Sequence, residues 1–223
     1  MSSGFDAVLL LGFGGPEGVD EVVPFLERVT AGRGIPPERL VEVGQHYFTL
    51  GGVSPINEQN RALRDALAQA VRGHGLEIEI ALANRNSPPF VPDVLAELAE
   101  RGHRRILGVA TAAYSGYSAC RQYREDLGLA LQTTGVAVEL RKLPPFFDLP
   151  AFAATITDLA LAALPAEIDL AAQTTRLVFT THSIPLSMAA AAGPQGHAYP
   201  PQHRWVAGQV AEHTAPTTGI TKP

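Results

Sequence analysis

What most constrains this chain is a rhythm: short apolar runs, each closed by Gly, Pro, Ser or Asn, alternate with longer stretches rich in Ala, Leu, Arg and Glu. Short Leu/Ile/Val runs read as strands, and the longer stretches as helices that cross back over a mostly parallel sheet, so the fold class is α/β. The expected strands are residues 6–11, 76–83, 105–111, 136–141 and 176–181. The expected helices are residues 19–29, 37–47, 55–72, 91–101, 118–131, 149–163 and 202–213. Unbroken hydrophobicity in Ile106-Leu107-Gly108-Val109 and Leu177-Val178-Phe179 suits strands covered on both faces.

Several boundaries carry their own chemistry. Pro37 and Pro55 stand where a first-turn proline costs nothing, because the first helical amides have no internal partner. Ser54 precedes Pro55 as an N-cap candidate. Gly73 and Gly75 flank His74 as a helix stop. Pro144 and Pro145 end the fourth strand and hold the backbone extended, which puts a boundary near Pro150. The expected organisation is therefore a first lobe over residues 1–148, the start of a second over 149–213, and a disordered tail over 214–223. With one expected strand, the second part cannot satisfy its own backbone groups or shield both faces.

Composition narrows the function classes. The chain has 223 residues, 46% hydrophobic and 17% charged, enough to bury a core and not the profile of a disordered or fibrous protein. A formal net charge of -5 argues against a general nucleic-acid binder or a polybasic membrane-surface protein. The single cysteine, Cys120, forms no internal disulfide and fits a reducing, cytoplasmic compartment. The apolar start, Ala7 to Phe13, follows no positive charge and reads as a strand, not a signal peptide; no stretch is long enough to span a bilayer.

Four segments stand at strand ends or helix starts, where α/β sheets bind ligands. Gly12-Phe13-Gly14-Gly15-Pro16-Glu17-Gly18 follows the first strand; it reads either as a tight turn or as a loop that brings backbone amides to a ligand. The glycine spacing of dinucleotide-binding loops is not met. Thr180-Thr181-His182-Ser183-Ile184-Pro185 places a histidine at the carboxyl end of an apolar run. Neutral imidazole is both a ligand for divalent iron and a proton acceptor, and the competing reading is a packed structural histidine. No second histidine lies three or four residues on, so there is no compact metal motif. Tyr114 to Tyr123 combines hydroxyls, a glycine and tyrosines, a lining for an aromatic ligand or a capped helix packed on the sheet. Gly51 to Asn57 is a loop into a helix.

Together, FGGPEG, GRGIPPERL, HYFTLGGVSPINEQNRAL, YSGYSACRQYRE and FTTHSIP stand in the order and spacing of the ferrochelatase family, and the chain resembles its actinobacterial, coproporphyrin-type members from Asp6 to about Glu212. The resemblance implies a chelatase-like, three-layer parallel-sheet lobe of Rossmann or flavodoxin type followed by a second α/β lobe. It implies insertion of ferrous iron into coproporphyrin III in haem biosynthesis, a non-redox exchange of one metal ion for two pyrrole protons. His182 matches the metal histidine, which receives iron or accepts protons. Ser54 and Tyr123 match porphyrin contacts; His46 and Tyr47 fall near positions that touch the macrocycle or its propionates. Phe13 replaces a tyrosine found in some relatives and cannot ligate a metal, leaving it to stack on the macrocycle. Arg28 and Arg33 are candidates for the carboxylate end.

The resemblance also marks departures. In actinobacterial relatives a cysteine at the place of Cys120 joins three others to hold a 2Fe-2S cluster, and this sequence has one cysteine. Ser87 and Pro88 replace an aromatic and a histidine often found there, which is expected to loosen one wall of the cleft. The family continues past this chain with the motif that carries an acidic residue opposite the metal histidine, and no residue here takes that role. The sequence thus reads as a shortened chelatase; the alternative is a non-catalytic porphyrin-binding fragment or carrier that lacks the acidic partner.

Overall fold

A computed structural model describes residues 4–165, 168 and 176–218, with side chains as far as Thr214. The described residues form two compact units, residues 4–111 with 123–143, and residues 112–122 with those of 144–218.

The first unit holds a parallel sheet of β1 (Ala7–Gly12), β2 (Glu79–Asn84), β3 (Arg105–Ala110) and β4 (Glu139–Lys142) in the order β2-β1-β3-β4. Every residue of β1 is buried, as a non-alternating run of Ala, Val and Leu requires when both faces are covered. Ala7 pairs with Glu79 on one side and with Ile106 on the other, so the three strands end together near Gly12, Asn84 and Ala110. At the edge, β4 alternates exposed and half-buried positions, and Glu139 pairs with Arg105 at 3.4 Å and Arg141 at 2.7 Å. Charge along that edge discourages pairing with a further strand.

The strands expected from the sequence form in this unit with small shifts at their ends. β2 starts at Glu79 because Leu76 is taken up by the preceding helix end. There the Leu76 amide donates to the Val71 carbonyl (3.2 Å) and the Gly75 amide to Arg72 (2.9 Å), with Gly75 in the left-handed region at φ 71°. This double closure satisfies the last carbonyls of the helix and leaves Leu76 outside the strand.

Around the sheet lie α1 (Val19–Thr30), α2 (Pro37–Phe48), α3 (Ile56–Gly73), α4 (Val91–Glu100) and α5 (Gln122–Thr134). At the start of α1 the Glu21 carboxylate accepts from the Glu17 amide at 2.9 Å, supplying an acceptor that Gly18, in the N-cap position, lacks. Val22, Phe25, Leu26 and Leu40 form the buried seam where α1 packs on α2. α3 and α4 pack on β1 and β2, with Leu95 and Leu98 of α4 fully enclosed. At the amino ends of the strands, the Asp6 carboxylate accepts from the Arg104 and Arg105 amides (2.9 and 3.1 Å), and His103 Nε2 lies 2.7 Å from Glu79. That end is a polar staple, and the carboxyl end is left for the glycine loops.

The second unit is helical in its regular parts. A π-helical turn, Tyr117–Arg121, is followed in the chain by α6 (Pro150–Ala162), α7 (Leu186–Ala190) and α8 (Tyr199–Thr218), and α6 packs against α8. Three sequence expectations change here. Residues 176–181, expected as a strand, join no sheet among the described residues, and Val178 is 81% exposed. An apolar run becomes a strand only when a neighbour supplies the ladder. α8 begins at Tyr199, because Pro200 and Pro201 occupy its first turn, where no internal amide is required. It also runs to Thr218, past the expected end at His213, so the disordered tail expected from Thr214 is helical at its start. Thr214 is buried and its hydroxyl donates to the Val210 carbonyl at 3.0 Å. Residues 219–223 of the expected tail lie outside the described residues. Among the described residues no helix is long and apolar enough to cross a membrane.

Candidate functional site

The carboxyl end of β1 in the first unit is crowded by close backbone approach. Gly14 has φ 81°, and a methyl group there would meet Ser87 Oγ at 2.5 Å, so the turn admits only glycine. The loop after β2 is sewn onto this turn. The Arg85 and Asn86 amides donate to the Gly12 and Phe13 carbonyls (both 3.1 Å), and Asn86 Nδ2 donates to Phe13 O at 3.0 Å.

Ser87 is buried, and its hydroxyl accepts from the Gly15 amide (3.2 Å) and from Asn57 Nδ2 (3.4 Å). Asn57 Nδ2 also donates to the Gly15 carbonyl at 2.9 Å, joining the start of α3 to the same turn. The small residue at 87 therefore does not leave this loop slack. Its hydroxyl ties three segments together.

Arg85 was not singled out from the sequence, yet it organises the aromatic residues that were. Its side chain is 8% exposed and forms an ion pair with Asp126 of α5, and its guanidinium lies 5.1 Å from the Tyr123 ring centre and 5.9 Å from that of Phe13. Two ring faces and one carboxylate thus compensate a buried cation. Among the described residues Arg85 Nη1 is buried without a hydrogen-bond partner, as are Asn60 Nδ2 and Asn84 Oδ1 beside Gly12. Burial pushes the Asp126 carboxyl above its ordinary value despite the opposing pull of Arg85. Burial also pushes the Tyr123 phenol up to about 12, so it stays a neutral hydrogen-bonding group at neutral pH. The signal available for Arg85 was its place, an arginine between two asparagines directly after an apolar strand.

Of the expected porphyrin contacts of this unit, Phe13, Tyr47, Ser54 and Tyr123 gather around the same turn and His46 does not. Phe13 is 36% exposed and packs edge-on against Phe25 (centres 6.2 Å apart), which packs in turn against Tyr47 (6.0 Å). Ser54 is half-buried: its amide donates to Pro16 O at 2.8 Å, and a methyl group added at Gly15 would meet its Cβ at 2.6 Å. Ser54 was expected to cap α3, but Pro55 takes the N-cap position and the Ser54 hydroxyl accepts from the Ile56 amide only at a long 3.5 Å. His46 is exposed on α2 and stands apart from the aromatic chain. Arg28 donates through Nε to Asn86 O at 2.8 Å and lies over Phe90; Arg33 is exposed in the loop before α2.

His182 and Cys120 belong to the second unit. His182 is exposed, and among the described residues its imidazole makes no hydrogen bond or ion pair. Its backbone is held: the Tyr199 hydroxyl donates to the His182 carbonyl at 3.1 Å and lies 2.9 Å from Thr181 Oγ1, which is 3.2 Å from His203 Nε2. The His203 ring stacks on Tyr114 with centres 3.7 Å apart, and burial lowers its pKa, favouring the neutral ring. Gln202 accepts from the Ser115 amide (2.7 Å) and donates to the Ser115 hydroxyl (2.9 Å).

Cys120 is half-buried on the π-helical turn. A 2Fe-2S cluster needs about four ligands. One thiol is present, and among the described residues no three His, Cys, Asp or Glu side chains are grouped to hold a metal. The residues of this chain do not fit that cluster.

The Ferrochelatase family profile matches residues 5–221. The chain is 51% identical to a coproporphyrin III ferrochelatase of Streptomyces griseus over 98% of its own length and 61% of the relative's. It is 50% identical to one of Streptomyces coelicolor, covering all of this chain and 62% of that protein, and 49% identical to one of Mycobacteroides abscessus, covering 86% and 55%. The chain thus spans about three-fifths of the length of the first two of these curated relatives. With a family profile matched from residue 5 to residue 221 and relatives about half identical to it, the chain belongs to the ferrochelatase family.

Proposed function

We propose that this chain takes part in inserting ferrous iron into coproporphyrin III, with Phe13, Tyr47, Ser54 and Tyr123 contacting the macrocycle and His182 receiving the metal or accepting the pyrrole protons. His46 is assigned a peripheral contact to a propionate. The reaction replaces two N–H protons by one Fe2+ with no change of oxidation state, so it needs a flat platform, a ligand that can release the metal, and a base.

The observation that carries this reading is the gathering of Phe13, Tyr47, Ser54 and Tyr123 around one strand end, in a chain about half identical to coproporphyrin III ferrochelatases. Phe13 offers a partly exposed apolar ring suited to stacking. Among the described residues the His182 ring makes no hydrogen bond or ion pair, which suits a group that acts as ligand and base in turn. Cytoplasmic placement goes with this reading, since substrate iron must stay ferrous.

The test is anaerobic insertion of Fe2+ into coproporphyrin III by the full chain, followed by loss of the free-porphyrin spectrum. Insertion that falls at least about a hundredfold in His182→Ala supports the assignment. Equal rates in the two proteins overturn it. Binding without insertion in the wild-type chain points to the carrier reading.

A further inference from the structure

Tyr199, Gln202 and His203 lie at i, i+3 and i+4 on the first turns of α8 and therefore share one face. From that face Gln202 grips Ser115, while Tyr199 and His203 grip the segment that carries His182.

The second set of bonds has one possible direction. The His182 carbonyl only accepts, so the Tyr199 hydroxyl spends its one proton there. The Tyr199 oxygen is then an acceptor, and the Thr181 hydroxyl donates its one proton to it. Thr181 Oγ1 in turn accepts from His203, whose Nε2 must carry hydrogen. The chain reads His203 Nε2–H to Thr181 O–H to Tyr199 O–H to the His182 carbonyl. Stacking on Tyr114 and edge contact with Tyr199 (ring centres 4.5 Å apart) fix the plane of the His203 ring.

We propose that Tyr199 and His203 are positioning residues for His182, fixing its backbone through this one-way hydrogen-bond chain so that its imidazole is presented in a single orientation. The proposal rests on the assignment of His182 as metal ligand. Because residues 176–181 join no sheet among the described residues, the chain from α8 supplies the restraint that a strand ladder would give.

The experiment is nitrogen-15 NMR of histidine side chains in the full-length chain, titrated with Zn2+ alone as a redox-silent probe. In the wild type, His203 is expected as the Nε2–H tautomer, and the His182 resonances are expected to respond to Zn2+. Tyr199→Phe keeps the ring and removes the hydroxyl. It should weaken the His182 response by about threefold to tenfold, the net worth of one exposed hydrogen bond, while the coproporphyrin Kd by Soret titration changes by less than about twofold. Thr181→Val should match it, and Thr181→Ser should restore the wild-type response.

An Nδ1–H tautomer at His203, or equal Zn2+ response in wild type and Tyr199→Phe, overturns the positioning role. The tautomer is read on the wild type and does not depend on how any variant folds. A wild-type His182 that ignores Zn2+ overturns the ligand assignment itself, a result distinct from the other two.

Discussion

Residues 105–110 and 176–181 are near-equivalent as sequence, each an arginine followed by an apolar run, yet they end in opposite states. In β3, Ile106 is fully buried between β1 and β4. In the second unit, Val178 is 81% and Phe179 49% exposed, and the segment pairs with no strand among the described residues. The difference lies in the neighbours: apolarity makes a run able to be a strand, and flanking strands make it one.

The largest effect should separate these two places directly. Ile106→Ala is expected to lower stability by about 3 kcal/mol through lost burial and a cavity. Val178→Ala should stay within about 0.5 kcal/mol. Urea unfolding measures both, and a cost above about 2 kcal/mol at Val178 would break the comparison.

Arg85→Met comes next, at about 2–3 kcal/mol, because it leaves Asp126 facing an apolar side chain; Asp126 is 31% exposed, so the cost stays below that of a sealed pair. Combining it with Asp126→Asn should cost less than the sum of the two single changes.

Alkaline titration sharpens the same region. The Tyr123 phenol is raised in the folded state to about 12, so its contribution to stability is complete below the ordinary value of 10.0 and is lost as pH rises toward 12. That window should remove about 2 kcal/mol, with the Tyr123 tyrosinate signal appearing late beside that of Tyr114, which burial also raises; Tyr123→Phe should remove the Tyr123 signal and its share of the loss.

Gly12→Ala is smaller, about 1–2 kcal/mol, since the new methyl group collides with Asn84 and Asn60 side chains that must shift. The smallest effect belongs to Asp6→Asn. Burial alone would raise the Asp6 carboxyl, but the Arg104 and Arg105 amides and His103 outweigh it and hold it below 3.8. Its contribution is present above that value and fades as pH falls through the lowered one. The substitution should cost about 0.5 kcal/mol at neutral pH and nothing in strong acid.

What was legible in the sequence follows the same division. The four strands of the first unit and the glycine turn after β1 were readable because the signals are local: unbroken apolar runs and a Gly-Gly turn. Phe13, Tyr47, Ser54 and Tyr123 were reached through their motifs, and the fold gathers them at one strand end. Arg85 was missed because its role depends on Asp126, 41 residues away by number, and on rings from two other elements. The strand at 176–181 was overread because pattern reports what a segment can bury, not what lies beside it. The ends of α8 were misread at both sides, where two prolines mark a first turn and a buried threonine carries the helix on.

The most direct test of the account is a Soret titration of coproporphyrin III against wild type, Phe13→Ala and Val178→Ala. The account predicts half-saturation at about micromolar protein for wild type and Val178→Ala, and at least tenfold weaker binding for Phe13→Ala. Undiminished binding by Phe13→Ala, or loss of binding in Val178→Ala alone, would contradict the claim that the turn after β1 is the platform for the macrocycle.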